Sequence, residues 1–435
     1  MSPSPSIVLA AGLRTPQARA GGAFRAEDPG HLGARLAREL LARTGLAGAE
    51  IDEVIAGCAG PPHTQANVAR VIGLRAGIPR HVPARTVARN CASGMEAVTS
   101  AAASILAGEG DTYLCLGVEV MSGYPLVFGQ KMTRLFARLA ASKSALASAG
   151  ALLSFRPSFL KPRISLVEGL TDPISGMIMG NTAELLAREF AISREESDRY
   201  ACDSHVRARR ARERGRFECE ILPHLPLGAR AGSRALRHDD SIRDAQTVEA
   251  LAKMRPYFTK PDGTVTIGNS CGLTDGATAL LVTSARRAKE LGLTPLARLR
   301  AWAWAGLDPA RMGLGPVFAT AKALERAGCE MSDLGVVELN EAFACQVLAC
   351  ARAFESDAFA GEHLGRGSAL GELDLRRTNV NGGAIALGHP VGATGARLLL
   401  TTAHELRESD CELGLATLCI GGGQGGAVVL ERVAA

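Results

Sequence analysis

"RTVARNCASGMEAVTSAAASILAGEGD" runs from Arg85 to Asp111. A short β-like run, Thr86 to Ala88, meets a cysteine, then a small-residue turn, then a helix-like stretch. The thiol of Cys91 therefore stands at the start of a buried helix, and the same arrangement returns later in the chain. The order helix, acidic turn, strand is spelled by "HLGARLARELLARTGLAGAEIDEVIAG" (31–57) and again by "PVFATAKALERAGCEMSDLGVVELNEA" (316–342). Each copy leads to a small-residue turn and helix, "CASGMEAVTSAAASILAGEGD" (91–111) and "GHPVGATGARLLLTTAHELRESD" (388–410). Each then closes on a strand, "TYLCLGVE" (112–119) and "ELGLATLCIGGG" (412–423). Two similar halves that alternate β and α predict a duplicated α/β fold.

The region between the halves, 123–251, is different. Its first part, "GYPLVFGQKMTRLFARLAASKSALASAGALLSFRPSFLKPRISLV", has seven Lys or Arg and no Asp or Glu. It continues into "SREESDRYACDSHVRARRARERG", a helix opened by a capping box of Ser193 and Glu196. We read it as an insertion on the first half and not as a third core. That gives 1–122 with 252–290 as the first half and 291–435 as the second.

A chain of 435 residues, 47% of them hydrophobic, is long enough to bury one large or two ordinary cores. The net charge of +5 is too mild to argue for nucleic acid and suits a small acidic substrate. Eleven cysteines occur without regular spacing and without a C-x-x-C pair, which reads as a reduced, intracellular, cytoplasmic protein. The opening "MSPSPSIVLAAG" lacks the basic start and long apolar run of a signal peptide. No apolar run of about 18 residues suggests a membrane span.

Four stretches hold the chemistry: "NCASG" (90–94), "NEAFA" (340–344), "NGGAIALGHPVGATGAR" (381–397) and "CIGGGQGG" (419–426). A pseudo-twofold between the halves would gather them at one place. There Cys91 and Cys419 supply thiols, His389 an imidazole, Asn340 an amide, and the glycines backbone N–H groups. Nucleophile, base, acid and oxyanion donors together make a site for acyl transfer. A thiol at a helix N-terminus also sees the positive end of the dipole, which favours thiolate. No local spacing of these ligand types supports a metal site.

As a set these motifs resemble the thiolase family, the 3-ketoacyl-CoA and acetyl-CoA acyltransferases, over nearly the whole chain. "RTP" (14–16), "MGNTAE" (179–184), and "LAKMRPYF" with "GTVTIGNSCGLTDGA" (251–277) extend the match. "FRPSFLKP" (155–162) and the long insertion are similar to the branch that includes the β subunits of fatty-acid oxidation multienzyme complexes. The resemblance implies a five-layered αβαβα fold with an inserted loop domain, 123–251, that binds CoA.

It implies roles as well. Cys91 is the nucleophile that becomes acylated, and His389 takes its proton. Cys419 shuttles the proton of the leaving or attacking group. Asn340, through water and beside His389, holds the thioester oxygen. The N–H groups of Cys91 and Gly421 form a second oxyanion hole, and Glu341 orients the histidine or the water. Cys271 and Met179 lie against CoA. Cys271 takes the place of a serine that touches the pantetheine in many members, and a thiol bonds more weakly than a hydroxyl. Ile178 stands before Met179 where short-chain members often carry histidine, which tilts the reading from an acetoacetyl-CoA specialist towards broader 3-ketoacyl substrates.

CoA enters as a substrate, and no metal or prosthetic group is expected. The partners implied are CoA thioesters, a second copy in a homodimer or homotetramer, and, in some members, a hydratase–dehydrogenase subunit. The basic stretch 123–167 reads as a solvated face, a CoA phosphate clamp, or a docking surface for a partner or an anionic membrane; its interleaved apolar residues suit docking. A ketoacyl synthase shares the duplicated fold and usually lacks "CIGGGQG". A catalytically silent carrier or scaffold would lack one of Cys91, His389 and Cys419.

Overall fold

A computed structural model describes residues 5–433. Nine strands of its large sheet run, edge to edge, as Leu334–Leu339, Leu413–Ile420, Gln424–Glu431, Ala297–Gly306, Ile7–Arg14, Thr274–Ser284, Thr112–Val120, Glu53–Gly57 and Ala84–Val87. Each half of this order is the mirror of the other. Outer strands pair in parallel, Glu53–Gly57 with Thr112–Val120 and Leu334–Leu339 with Leu413–Ile420. Inner strands pair antiparallel, Thr112–Val120 with Thr274–Ser284 and Leu413–Ile420 with Gln424–Glu431. Even the missing edge strand has a trace: Thr378 bridges Val337 in parallel, where Ala84–Val87 flanks Glu53–Gly57 in the first half. In the sheet the halves pair at Ile7, Val8 and Leu9 with Leu299, Arg298 and Ala297, and Ser270 bridges Phe343 and Leu273 bridges His389 outside the named strands.

The strands carry side chains that are buried on both faces, as sheets covered by helices on both sides must. In Thr112–Val120 every residue is buried. Tyr113 and Cys115 point into a core between the two halves, and Leu114, Leu116 and Val118 point into an outer core. The outer core packs the helices Pro29–Thr44 and Val68–Ala76. A matching outer core on the second half packs Gly315–Ala327 and Ala344–Phe354. Between the halves lie Ser93–Ala107 and Val391–Glu408. Helix, sheet, helix pair, sheet, helix gives the five layers.

The middle helices approach one another backbone to backbone. A Cβ on Gly94 would lie 2.8 Å from the Gly392 carbonyl oxygen, and one on Gly395 would lie 2.6 Å from the Met95 nitrogen. Small residues at this crossing set how closely the starts of the two helices meet.

The halves differ in one connection. Leu413–Ile420 returns through a hairpin turn, with φ +90° at Gly422 and +75° at Gly423. Its counterpart Thr112–Val120 leaves through a long excursion, and the sheet is re-entered at Thr274. The capping box of Ser193 and Glu196 opens the helix Arg194–Glu213 there, and this helix packs on the second half. The earlier part of the excursion holds its own small cluster, Met132, Leu135 and Ala151.

Candidate active site

Each chemical side chain sits at the end of a strand or the start of a helix. Ala84–Val87 ends, the chain turns through Asn90–Ala92, and Ser93–Ala107 begins; Cys91 lies in that turn. Asn90 has φ +44°, a left-handed conformation that asparagine tolerates better than most residues. Its Nδ2 donates to the Gly421 carbonyl at 2.8 Å. The nucleophile turn is thereby tied to the hairpin turn after Cys419. Ser93 Oγ accepts from the Arg89 N–H at 2.9 Å and donates to the Asn90 carbonyl at 2.7 Å, which closes the turn on itself.

Cys91, His389, Cys419, Gly421, Cys271 and Met179 all line one cavity of about 1360 Å³. Asn340 and Glu341 do not line it; they lie behind its wall, which their neighbours Ala342 and Phe343 form. Asn340 is fully buried, and neither its amide oxygen nor its amide nitrogen has a partner among the described residues. Buried amides are normally paired, so this one is free to hold a water or a ligand atom.

The Glu341 carboxylate is held on every side by the protein. Its carboxylate accepts from Tyr200 Oη at 3.0 Å, Ser204 Oγ at 2.7 Å, Asn379 Nδ2 at 3.0 Å and the Ile385 N–H at 3.2 Å. None of these bonds is to His389. Glu341 instead fixes the loop that leads to His389, and fastens it to the helix Arg194–Glu213.

His389 is 6% exposed. Its Nδ1 lies 2.7 Å from Thr394 Oγ1, and that hydroxyl donates to the Pro390 carbonyl at 3.1 Å. With the hydroxyl hydrogen so committed, the imidazole keeps its proton on Nδ1 and leaves the Nε2 lone pair free to accept one. Burial, reinforced by the charge of Arg397, holds the imidazole down at about 4, so it is neutral at pH 7.

The thiols are neutral too. Burial pushes Cys91 up to about 11, and the charge of Glu119 adds to this. The N–H groups of Gly421 and of Cys91 itself oppose the shift but do not overcome it. The dipole argument from sequence is thus overturned: desolvation outweighs the helix N-terminus, and Cys91 rests as a thiol. Burial pushes Cys271 up to about 12 and Cys419 well above its ordinary value, with Cys91 close enough to contribute to both. Cys91 and His389 thus line the same cavity with the thiol and the imidazole both neutral.

Glu119 emerges only from the structure. This carboxylate is wholly buried beneath the site. It accepts from the Ala59 and Gly392 N–H groups, each at 2.9 Å, from Tyr124 Oη at 3.0 Å and from the Gly60 N–H at 3.2 Å. One side chain thus joins the loop after Glu53–Gly57 to the first turn of the helix that follows His389. An anion at that helix start is also favoured by the helix dipole. In the sequence it is a single acid inside an apolar strand, "TYLCLGVEV", whose donors lie 5 to 273 residues away.

The arrangement matches known proteins end to end. Residues 7–286 match the family description "Thiolase, N-terminal domain", and residues 293–432 match "Thiolase, C-terminal domain". A probable acetyl-CoA acyltransferase of Staphylococcus aureus is 41% identical over 98% of this chain and 99% of its own. The crystal structure of the Bacillus anthracis acetyl-CoA acetyltransferase superimposes with a TM-score of 0.87 at 36% identity, over 100% of both chains. The crystal structure of human mitochondrial 3-ketoacyl-CoA thiolase gives a TM-score of 0.85 at 35% identity, over 99% of both chains. A duplicated α/β chain that turns two thiols and an imidazole into one cavity, and that matches these enzymes along its length, belongs to the thiolase family and is an acyltransferase.

Proposed function

We propose that the chain is an acetyl-CoA C-acyltransferase that cleaves 3-ketoacyl-CoA with free CoA, through an acyl-Cys91 intermediate. The observation that carries this reading is one cavity faced by Cys91 from the first half and by His389 and Cys419 from the second. His389 Nε2 takes the Cys91 proton as the sulfur attacks the 3-keto carbon. The C2–C3 bond breaks, its electron pair passes to C2, and the acyl group stays on Cys91. Cys419 protonates C2, and acetyl-CoA leaves. The Cys419 thiolate left by that step takes the proton of a second CoA thiol, whose sulfur attacks the acyl carbon; the Cys91–acyl bond breaks, and Cys91 takes its proton back from His389. In reverse the same atoms perform a Claisen condensation. The N–H groups of Cys91 and Gly421, and Asn340 through a water beside His389, hold the carbonyl oxygens as charge develops on them. CoA is a substrate in this scheme, and no metal or prosthetic group takes part.

The cavity favours substrates beyond acetoacetyl-CoA. It is larger than a typical small-molecule pocket, and Ile174, Ile178, Phe258, Ile267 and Phe343 are in its wall. Its lining contains no Lys or Arg, so its depth suits an acyl chain more than a phosphate. A thiolysis assay on 3-ketoacyl-CoA substrates of increasing chain length tests the reading. The expected result is CoA-dependent loss of the ketoacyl-CoA absorbance, with kcat/KM rising beyond the four-carbon substrate. Turnover confined to acetoacetyl-CoA would make the chain an acetyl-CoA C-acetyltransferase. No turnover at any length would overturn both.

A further inference from the structure

Arg14, the first residue of the "RTP" stretch, is buried and takes no part in the proposed reaction. Its guanidinium donates to both carboxylate oxygens of Asp239, at 2.7 and 3.0 Å, and to Glu220 Oε1 at 3.0 Å. Both acids belong to the excursion between Thr112–Val120 and Thr274–Ser284. A cation buried this deeply needs such partners. The same Asp239 carboxylate reaches one residue further. The Gln17 N–H donates to its Oδ1 at 2.7 Å, and the Asp240 N–H donates to the Gln17 carbonyl at 3.1 Å. The Gln17 backbone is thus held on both sides.

Gln17 is 2% exposed. The end of its side chain lies against the carbonyl oxygens of Leu387 and Gly388, the two residues before His389. An amide oxygen there would meet two acceptors, so the amide turns its nitrogen to them, and Nε2 donates at 3.1 and 2.8 Å. Both hydrogens of that nitrogen are then used. The stem of Gln17 runs beside Pro390, on the other side of His389: a Cβ on Gly276 would lie 2.9 Å from Pro390 Cγ and 3.5 Å from Gln17 Cγ. Gly388 follows the short helix Ala384–Leu387 with φ +109°, so contacts from outside, the Leu273 bridge among them, set the direction of the chain into His389. Glu341, in the second half, accepts from the Ile385 N–H of this loop. Gln17, in the first half, supplies the donor that the loop's carbonyls require.

We infer that Gln17 is a positioning residue for His389: it fixes the two peptide carbonyls ahead of the histidine and so sets where the imidazole stands toward Cys91. Cys91 and Gln17 both belong to the first half, so the contact refers the base of the second half to the half that carries the thiol. The inference rests on the proposed role of His389 as the base. Only a side chain with this reach and two hydrogens on one nitrogen serves both carbonyls. Gln17→Met keeps the length and loses the donor; Gln17→Asn keeps the amide and falls a methylene short.

Rapid-mixing measurement of Cys91 acylation in the full-length protein tests this. In both variants the rate at pH 7 should fall about ten- to a hundredfold, as expected for a misplaced catalytic group, while KM for CoA holds. The rate should also become dependent on pH between about 7 and 9, because a displaced base leaves more of the reaction to the thiolate fraction. In the His389→Asn background Gln17→Met should add nothing, since the group it positions is gone. Equal losses with and without His389 overturn the inference. So does a lower melting temperature with a wild-type rate and a flat pH profile in both variants, which would make Gln17 a packing residue. The crystal structure of Gln17→Met, beside wild type in the same crystal form, reads the placement apart from the chemistry. A displaced Leu387–His389 backbone is expected, and an unmoved one overturns the inference. Absence of turnover in wild type would refute the thiolysis reading, and this comparison would still decide the placement.

Discussion

Cys91 and His389 form a pair in which neither partner is charged at rest. Burial holds the thiol up at about 11 and the imidazole down at about 4. The pH dependence follows from these two directions. Below about 4, His389 is protonated and cannot accept the thiol proton; above that pH it is ready, and Cys91 remains a thiol until about 11. The acylation rate of wild type should therefore be flat across the neutral range. His389→Asn removes the base, so the rate should track the small thiolate fraction and rise roughly tenfold per pH unit between about pH 7 and 9. A flat profile in that variant would show that another group takes the proton. Cys91→Ala should lose roughly a thousandfold or more in kcat with its circular dichroism unchanged. Mass spectrometry of wild type mixed with substrate should find the acyl group on the peptide that contains Cys91; an adduct on Cys271 or Cys419 would reassign the nucleophile. Cys419→Ser should still take up the acyl group but turn over slowly, because a hydroxyl is a far weaker acid than a thiol. Equal turnover in both directions would make Cys419 structural.

The helices that carry this pair owe their spacing to glycine. At Gly395 a Cβ would fall 2.6 Å from the Met95 nitrogen and 2.8 Å from the Met95 Cβ, neither of which can swing aside as a side-chain tip would. Gly395→Ala should therefore push Ser93–Ala107 and Val391–Glu408 apart. The expected cost is about 1–3 kcal/mol of stability. The expected kinetic mark is a fall in kcat larger than any change in KM, because Cys91 and His389 stand at the starts of those two helices. Thermal melting and steady-state kinetics on the same preparation check both parts. Legibility differed at this level. The strand–turn–helix repeats around Cys91 and His389 could be read directly, since their periodicity and small residues lie within one local stretch. The partners of Glu341 could not: Tyr200 and Ser204 belong to the excursion, 141 and 137 residues away. Nor could Thr394 behind His389 be told from any other threonine on a helix.

At the scale of the molecule, the duplication was readable because each half repeats the same element order, and the sheet has the mirrored strand order that such a repeat requires. The balance of desolvation at Cys91 was not readable, because it depends on how much protein closes over the thiol once both halves are in place. Glu119 escaped for the same reason, as a lone acid in an apolar run whose donors come together only in the folded chain. The groups of the proposed mechanism are divided between two halves that meet at the pairing of Ile7, Val8 and Leu9, at the bridges of Ser270 to Phe343 and Leu273 to His389, and at the close crossing of the middle helices. Activity is therefore a gauge of alignment, and a finer one than helix or strand content. In rising denaturant, turnover should fail at a lower concentration than far-UV ellipticity does, because a small slip between halves leaves each half's hydrogen bonds intact while parting the thiol from its base. Coincident loss of both signals would mean that the two halves unfold as one unit. Separated losses would mean that the enzyme goes out of register before it goes out of shape.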